Sequence, residues 1–427
     1  MSDQTLTEDF KKATAYELTD HDIERAKLML HVDLASRDQE QIGTASIDNI
    51  RSFAYACGSD NPLFCNPDHA ASSRWGSVIA PSMMAGVINR PMLGDPLPEE
   101  LKAATKSLFR GIHMFISGGE WTFYRPIFPG DTLYSFGGED GLEVKQSEFA
   151  GRSVTRFNSQ VKVNQRGEVV SVYRYRAILT ERKKARETGK YKDIQPATYS
   201  DEDLARIDEV YSAERSRGAD TLYFEDLEIG SALPGGASGP LTVTDVVNFH
   251  GGGYGWVPYG LRTGRMWNNN RKRIAPFYVK NAYGVPDVAQ RLHWDSDWAQ
   301  AIGNPMAYDY GVMRENYLFR YLTDWAGDNG WVYKQYDEIR KFNYMGDTQF
   351  ISGEVVGKRV ENGLNLVDVK VKMTNQRGED TVLCDAVVAL PSRDGALVLP
   401  PVPHELQARA SKMMARHWEL LAGKRKS

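Results

Sequence analysis

The pentapeptide Asn164-Gln165-Arg166-Gly167-Glu168 recurs letter for letter as Asn375-Gln376-Arg377-Gly378-Glu379. Alternating apolar and polar residues flank both copies, at 161–163 and 169–179 in the first case and at 367–373 and 382–390 in the second. A period of two on either side of a glycine-containing turn predicts a β-hairpin. Because five identical residues keep the same flanking pattern, we infer that the chain is an internal duplication.

Two further pairs of motifs occur in the same order along the chain. Gly130-Asp131-Thr132 precedes the first hairpin, and Gly346-Asp347-Thr348 precedes the second. Earlier in each half, the segments 44–53 and 242–249 both begin with threonine and end with phenylalanine, as capped helices would. Each half is therefore predicted to be a helix followed by antiparallel strands, which is the α+β fold class.

The predicted organisation has four parts. They are an N-terminal domain at 1–180, a linker with a short helix at 181–222, a C-terminal domain at 223–400 and a helical arm at 401–427. Ser200 and Asp203 are positioned to cap the linker helix. The segment from Ser82 to Ile88 is predicted to be a buried helix. We expect the C-terminal segment to be a packing arm and not a membrane anchor, since Arg and Lys are scattered along it.

Composition excludes several classes of function. The 427 residues are 41% hydrophobic and 25% charged, with a formal net charge of −4, and the pI is near 6.1. This balance argues against general binding to nucleic acids or anionic membranes. We also expect no secretory signal and no membrane span, because the start lacks a basic and apolar pattern and no run of about 18 apolar residues occurs. Three cysteines without metal-binding spacing indicate a cytoplasmic protein with no metal site.

A candidate for acid–base chemistry lies at His293-Trp294-Asp295-Ser296-Asp297-Trp298-Ala299. Gly303-Asn304-Pro305 follows, and a long apolar helix then begins. An imidazole near a helix start lies close to unpaired backbone N–H groups, which can stabilise developing negative charge. The alternative is that His293 is a partly buried structural histidine.

The segment from Gly58 to Ala70 carries a family resemblance. Its sequence, Gly-Ser-Asp-Asn-Pro-Leu-Phe-Cys-Asn-Pro-Asp-His-Ala, resembles the Gly-Asp-x-Asn-Pro-Leu-His-x-Asp-Pro-x-x-Ala motif of the MaoC-like acyl dehydratases. The resemblance implies the hot-dog fold, in which a long helix is wrapped by an antiparallel sheet. A duplicated chain looks like the double hot-dog hydratases, which act on enoyl-CoA thioesters with (R) stereochemistry.

Departures from the motif assign different roles to the two halves. In the first half, Ser59 and Phe64 occupy the positions of the family's catalytic Asp and His, so this half is expected to be catalytically silent. Asp60 lies one position after that of the family's aspartate. In the second half, His293 aligns with the catalytic histidine. The family's aspartate would fall at Val288; the neighbouring Asp287 is the predicted catalytic carboxylate.

Two alternatives to this pairing remain open. Asp295 is the rival carboxylate, although the resemblance would make it structural. His293 could also have no carboxylate partner.

The resemblance also implies an oxyanion site at the start of the long helix. The family's backbone donor aligns with Asp309 or Gly311, and the adjacent Tyr308 and Tyr310 are candidate substrate-binding residues. A long insertion at about 254–290 carries Arg271, Lys272 and Arg273 among aromatic residues. These cations could hold the phosphates of coenzyme A, or could form a solvated basic face or a subunit contact.

The resulting hypothesis is a hydro-lyase that adds water reversibly to a 2-enoyl-CoA. One alternative is a hot-dog acyl-CoA thioesterase that uses Asp309 to activate water. Another is a non-catalytic acyl-CoA-binding partner subunit, which the absence of Asp at Val288 favours. The coenzyme A thioester is the expected substrate, and no separate cofactor is expected. A homodimer of such pseudo-dimers is the predicted assembly.

Overall fold

The computed structural model describes residues 17–37, 41–109, 112–147, 151–180, 194–254, 261–302 and 304–424. Twelve strands occur in these ranges: β1 (Leu34–Ala35), β2 (His113–Phe123), β3 (Leu133–Ser147), β4 (Gly151–Asn164), β5 (Val169–Thr180), β6 (Gly236–Ser238), β7 (Tyr278–Lys280), β8 (Pro286–Val288), β9 (Trp331–Ile339), β10 (Gln349–Glu361), β11 (Leu364–Asn375) and β12 (Asp380–Leu390).

Eleven α-helices occur in the same ranges. They are α1 (Asp20–Lys27), α2 (Ile47–Ala56), α3 (Pro62–Cys65), α4 (Pro67–Ser72), α5 (Glu99–Ala104), α6 (Asp201–Ala213), α7 (Val243–Phe249), α8 (Gly264–Arg273), α9 (Ser296–Ala301), α10 (Gly311–Ala326) and α11 (His404–Lys424). None of the described helices is both long enough and apolar enough to cross a membrane.

Ten strands form a single sheet whose order is symmetric about its centre. The order is β1-β3-β4-β5-β2-β9-β12-β11-β10-β6, so each strand of the first half has its counterpart at the mirrored position. The halves join where β2 pairs antiparallel with β9, from Gly118 opposite Glu338 to Thr122 opposite Lys334. The α+β class and the duplication predicted from the sequence are therefore confirmed.

Glycine is required where the two halves meet. Gly118 has a φ of 102°, and a Cβ there would lie 2.0 Å from the carbonyl oxygen of Asp337. Any other residue would push β2 away from β9, since the close neighbour is backbone and cannot move alone. Gly118 thus permits the irregular register of β2 at this point.

The repeated pentapeptide forms the turn between β4 and β5 in the first half. Asn164 Oδ1 accepts hydrogen bonds from the backbone N–H groups of Arg166 (3.0 Å) and Glu168 (3.1 Å). Arg166 and Gln165 then donate to Oδ1 of Asp131, at 2.7 and 3.0 Å. The pentapeptide and the Gly-Asp-Thr motif recur together because they contact each other.

The second half repeats these contacts between β11 and β12. Asn375 Oδ1 accepts from the N–H groups of Arg377 and Glu379, both at 3.0 Å. Asp347 is fully buried and accepts from Arg377 (2.6 and 2.7 Å), from Gln376 (2.7 Å) and from the N–H of Tyr344 (3.0 Å). These bonds satisfy the carboxylate, which would otherwise be costly to bury.

We predict that Asp347→Ala lowers the free energy of unfolding by about 2–4 kcal/mol, because several charge-assisted hydrogen bonds are lost together. Denaturant unfolding followed by circular dichroism measures this change. Asp394→Ala, at an exposed position, is the control and should stay within about 0.5 kcal/mol of the parent. Equal effects of the two substitutions would contradict a structural role for the turn contact.

The two halves differ in their central helix. In the second half, α10 spans sixteen residues and buries Met313, Leu318, Phe319 and Leu322 against the sheet. The corresponding segment of the first half is a five-residue 3-10 helix, Ser82–Gly86. The predicted helix at 82–88 is thus buried but ends two residues early and is a 3-10 helix, since Gly86 and the β-branched Val87 and Ile88 disfavour helical continuation.

The C-terminal helix packs on the first half, as predicted. Ala410 and Met414 of α11 are buried with Phe136 and other residues of the first-half sheet. His417 Nδ1 accepts a 2.9 Å hydrogen bond from the N–H of Leu93. The linker helix α6 begins with the predicted capping box of Ser200 and Asp203. The four domain boundaries themselves stay predictions.

Two acidic side chains are buried beside the junction of the halves. Glu315 of α10 accepts hydrogen bonds from Trp121 Nε1 (3.2 Å) and from the hydroxyl of Tyr173 (3.0 and 3.2 Å). Asp337 of β9 accepts from Gln335 Nε2 at 2.7 Å. Burial raises the pKa of both carboxyls, and ionised Glu315 raises the pKa of Asp337 further.

We predict that this pair makes stability fall as the pH rises. A carboxyl whose pKa is raised by folding retains its proton in the native state when the unfolded chain has lost it, so its contribution is complete at acidic pH and is lost on alkalinisation. We therefore compare the free energy of unfolding of the parent with that of Glu315→Gln. The difference, parent minus variant, should fall between about pH 5 and about pH 8. For one proton the slope is at most about 1.4 kcal/mol per pH unit.

Urea unfolding at several pH values measures this difference. Glu209→Gln removes a carboxylate from an exposed position of α6 and is the matched control. A difference that is flat or rises with pH would show that Glu315 is ionised in the folded protein.

Candidate functional site

His293 ends a 3-10 helix, Ala289–His293, shortly before α9 begins. Its Nδ1 lies 2.9 Å from the backbone carbonyl oxygen of Tyr308. A carbonyl can only accept a hydrogen bond, so Nδ1 carries the proton and the lone pair of neutral His293 is on Nε2. The imidazole is therefore held in the tautomer that leaves Nε2 as a base.

Aromatic rings surround this imidazole. The centroid of the Tyr310 ring lies 3.7 Å from that of His293 with the planes 30° apart, and Tyr308 approaches edge-on at 5.1 Å. Burial lowers the pKa of His293 to about 4, with a further lowering from nearby His250. His293 is consequently neutral at physiological pH, the form that can accept a proton.

We predict that the imidazole of His293 titrates far below the ordinary histidine value of about 6.5. Its NMR resonances should move with a midpoint near pH 4, because burial disfavours the cation. The His293→Gln spectrum assigns the signal by its disappearance. A midpoint above about pH 6 would contradict the buried, neutral imidazole.

The hydroxyl of Tyr310 is held by two residues that sequence reasoning did not identify. Gln290 Nε2 donates to it at 2.6 Å, and it lies 2.9 Å from Nε2 of His250. His250 begins a π-helical turn directly after α7, and burial lowers its pKa to about 4. Alignment of the two halves could have identified His250. When Phe249 is aligned with Phe53, His250 lies opposite Ala54. A titratable residue replaces an alanine there.

The helix start is placed as the sequence predicted. Tyr310 precedes α10 and no side chain caps the first turn, which begins at Gly311. A Cβ on Gly311 would lie 2.6 Å from Cδ1 of Ile339, the end of a side chain that can shift. Nδ1 of His293 binds the carbonyl of Tyr308, which precedes Gly311 by three positions in the sequence. The imidazole therefore contacts the segment that leads into α10.

Asp309 is occupied by structural contacts. Its carboxylate lies 2.9 Å from Nε of Arg314 and accepts a 3.0 Å hydrogen bond from Nδ2 of Asn343. Burial raises its pKa to about 6, against the opposing effect of Arg314. Both contacts use Oδ2, whereas Oδ1 is buried without a hydrogen-bond partner among the described residues. The thioesterase alternative, in which Asp309 activates water, stays a prediction.

The structure does not join Asp287 to His293 by a hydrogen bond. Asp287 lies in the β7–β8 hairpin, where Oδ1 accepts from the N–H of Val288 (2.7 Å) and Oδ2 from Asn281 Nδ2 (3.3 Å). Its carboxylate thus stabilises the hairpin turn, contrary to the expected pairing. Any catalytic role of Asp287 stays a prediction.

Asp295 is a helix cap. It accepts from the N–H of Trp298 at 2.9 Å and from Nε of Arg291 at 3.1 Å. The guanidinium of Arg291 also donates to the carbonyl groups of Val279 and Asp287 and so anchors the hairpin. This supports the structural role that the resemblance implied for Asp295.

The basic residues of the insertion lie at the end of α8. Arg271 stacks over Trp267, with Cζ 3.7 Å from the ring centroid, and donates to Asn268 Oδ1 at 3.1 Å. Lys272 and Arg273 are exposed. None of the three has a contact with His293 in the described part of the chain, and their binding of coenzyme A stays a prediction; residues 255–260 of the insertion lie outside the described residues.

In the first half, the corresponding position is filled by core residues. Phe64 and Ser59 are buried, and Asp60 is exposed. Asn61 caps α3 and donates from Nδ2 to Asp324 at 3.1 Å. The motif residues that remain therefore shape the turn. Among the described residues, no group of three or more His, Cys, Asp or Glu side chains is arranged to hold a metal ion.

Comparisons with known proteins support this architecture. Residues 39–172 match the family model described as FAS1-like, dehydratase domain region. A solved MaoC-like dehydratase is 16% identical, with a TM-score of 0.53, and the match covers 85% of this chain and 98% of that one. No curated protein sequence matches the chain. With the mirrored sheet, the structural match confirms the expected fold of two tandem hot-dog units.

Two further solved structures show similar coverage. A MaoC-like dehydratase from Phytophthora capsici is 10% identical, covering 87% of this chain and 99% of its own, with a TM-score of 0.49. A conserved hypothetical protein from Mycobacterium tuberculosis, described as having a double hotdog fold, is 11% identical, covering 86% and 97%, with a TM-score of 0.48.

Proposed function

Because this chain is a double hot-dog protein related to the MaoC-like dehydratases, we propose that it catalyses the reversible hydration of a 2-enoyl-CoA. The observation that carries the proposal is the placement of His293. Its Nδ1 lies 2.9 Å from the carbonyl oxygen of Tyr308, shortly before α10 begins, and the neutral imidazole therefore carries its lone pair on Nε2. A neutral base next to uncapped backbone N–H groups is what addition of water to a conjugated thioester needs.

The proposed chemistry uses His293 twice. Nε2 takes a proton from water while the oxygen bonds to the β-carbon, and the electrons of the double bond move to the thioester oxygen. Backbone N–H groups at Gly311 donate to the enolate oxygen. The imidazolium then returns its proton to the α-carbon, which restores neutral His293 and gives the 3-hydroxyacyl-CoA.

The second half performs this reaction alone in the proposal. The first half has Phe64 where an acid–base group would be needed, and its central helix is a single 3-10 segment. We expect the space left by that short helix to accommodate the acyl group. The cytoplasmic location, the homodimer and the clamp on coenzyme A formed by Arg271, Lys272 and Arg273 stay predictions.

One observation favours a second candidate function. No carboxylate accepts a hydrogen bond from His293 among the described residues. A protein that binds acyl-CoA without turnover, and supports a catalytic partner chain, would need no such carboxylate.

We predict that His293→Ala reduces kcat for hydration of a 2-enoyl-CoA by about 10²–10⁴-fold, the usual contribution of a general acid–base residue. Loss of the absorbance of the conjugated thioester measures the rate over a panel of acyl groups. Asp287→Asn is the matched carboxylate variant. Since Asp287 is engaged in its hairpin, it should retain activity to within a few fold.

The outcomes separate the candidates. Hydration by His293→Ala at the parent rate would overturn the assignment of the base. A loss in Asp287→Asn as large as in His293→Ala would restore Asp287 as the catalytic carboxylate. Binding of 2-enoyl-CoA measured by calorimetry, with no hydration by the parent protein, would favour the non-catalytic binding subunit.

A further inference from the structure

The imidazolium that forms when His293 takes a proton needs stabilisation in a buried site. A carboxylate is the usual source of such stabilisation. Here the carboxylate of Asp287 binds Asn281, and that of Asp295 caps α9. Asp309 contacts Arg314 and Asn343 through Oδ2, and its buried Oδ1 has no hydrogen-bond partner among the described residues. Asp297 is exposed. None of these four carboxylates is hydrogen-bonded to His293 in the described part of the chain.

The face of Tyr310 is the group that packs against the imidazole. The ring centroids are 3.7 Å apart at an angle of 30°, which is close to parallel stacking. The π face of tyrosine carries partial negative charge and attracts a cation placed over it within about 6 Å. We propose that Tyr310 is a positioning residue that orients His293 and stabilises its imidazolium in place of a carboxylate; the catalytic part of this inference rests on the proposed hydration.

A network of hydrogen bonds fixes the Tyr310 ring. Gln290 Nε2 can only donate, so the hydroxyl of Tyr310 accepts from it and is free to donate its own hydrogen to Nε2 of His250. His250 is itself packed against Trp294, whose ring centroid is 5.5 Å away. Two residues from separate segments, Gln290 and His250, thus hold the Tyr310 ring that packs against His293.

The charges around His293 agree with this role. The titratable groups that face it are His250, from the turn after α7, and Tyr308 and Tyr310, from the segment before α10. On its own segment, Arg291 points to the hairpin and to Asp295. A protonated His250 would repel the imidazolium, but as the acceptor of the Tyr310 hydrogen it is neutral.

The test compares Tyr310→Phe with Tyr310→Leu. Phenylalanine keeps the ring and loses the hydroxyl, whereas leucine loses the ring. A cation–π contact of this kind corresponds to about a 2- to 30-fold effect. We expect Tyr310→Leu to lower kcat by that factor with little change in KM, and to lower the NMR titration midpoint of His293. Tyr310→Phe should lower both quantities by less than Tyr310→Leu does, because it keeps the ring and loses only the hydrogen bonds to Gln290 and His250.

The sign of the NMR shift makes the test decisive. Removal of a stabilising π face lowers the midpoint, whereas water entering a vacated site would raise it. A midpoint that stays constant or rises in Tyr310→Leu, in protein shown by circular dichroism to be folded, would overturn the proposal. Equal losses of kcat in both variants would do the same, because they would assign the effect to the hydroxyl.

The NMR measurement also separates this inference from the proposed function. It requires no substrate and reports only on the imidazole and its neighbours. If the parent protein hydrates no enoyl-CoA while the midpoint falls in Tyr310→Leu, the proposed hydration fails and the stabilisation by Tyr310 stands.

Discussion

The pairing of β2 with β9 is the contact on which the whole structure depends. It converts two five-stranded units into one ten-stranded sheet, and it requires Gly118, since a side chain there would collide with the backbone of Asp337. The same junction holds the central helix. Trp121 and Tyr173 of the first half stack at 4.1 Å and both donate to Glu315 of α10. The functional helix of the second half is thus positioned by residues of the first.

This dependence gives the first half a structural role, although Ser59 and Phe64 occupy the positions of the family's catalytic pair. The first half supplies the aromatic residues around Glu315 and carries the C-terminal helix on its sheet. It also keeps the turn contact between Asp131 and the first pentapeptide. The repeated motifs therefore have a structural role, and the proposed catalytic residues lie in the second half.

The candidate site departs from a histidine–carboxylate pair. A carbonyl fixes the tautomer of His293, and an aromatic face takes the position next to the ring. A carboxylate would make the imidazole more basic, whereas a neutral, buried environment makes it less basic. Such a base is neutral over a wide pH range, so its protonation state does not limit its use near neutrality.

Some features of this protein followed from the sequence alone. The turns formed by 164–168 and 375–379 close their hydrogen bonds within a few residues, so a local pattern was enough to identify them. The α+β class, the duplication and the position of His293 before α10 followed from spacing and repetition. The catalytically silent first half stays a prediction from the family resemblance. Each of these properties depends on neighbours in the chain or on an internal copy.

Only the tertiary structure decided which groups meet at His293. Tyr310 was a candidate, but its partners His250 and Gln290 lie on separate segments, and no local pattern brings them together. Asp287 was predicted as the carboxylate partner because it lies one position from the aligned motif aspartate. In the structure its carboxylate accepts a hydrogen bond from Asn281 within the β7–β8 hairpin. The first-half helix, predicted at 82–88, ends at Gly86 in the structure. Contacts between distant segments are set by packing and by the competition for buried hydrogen bonds, and one-dimensional spacing does not contain that information.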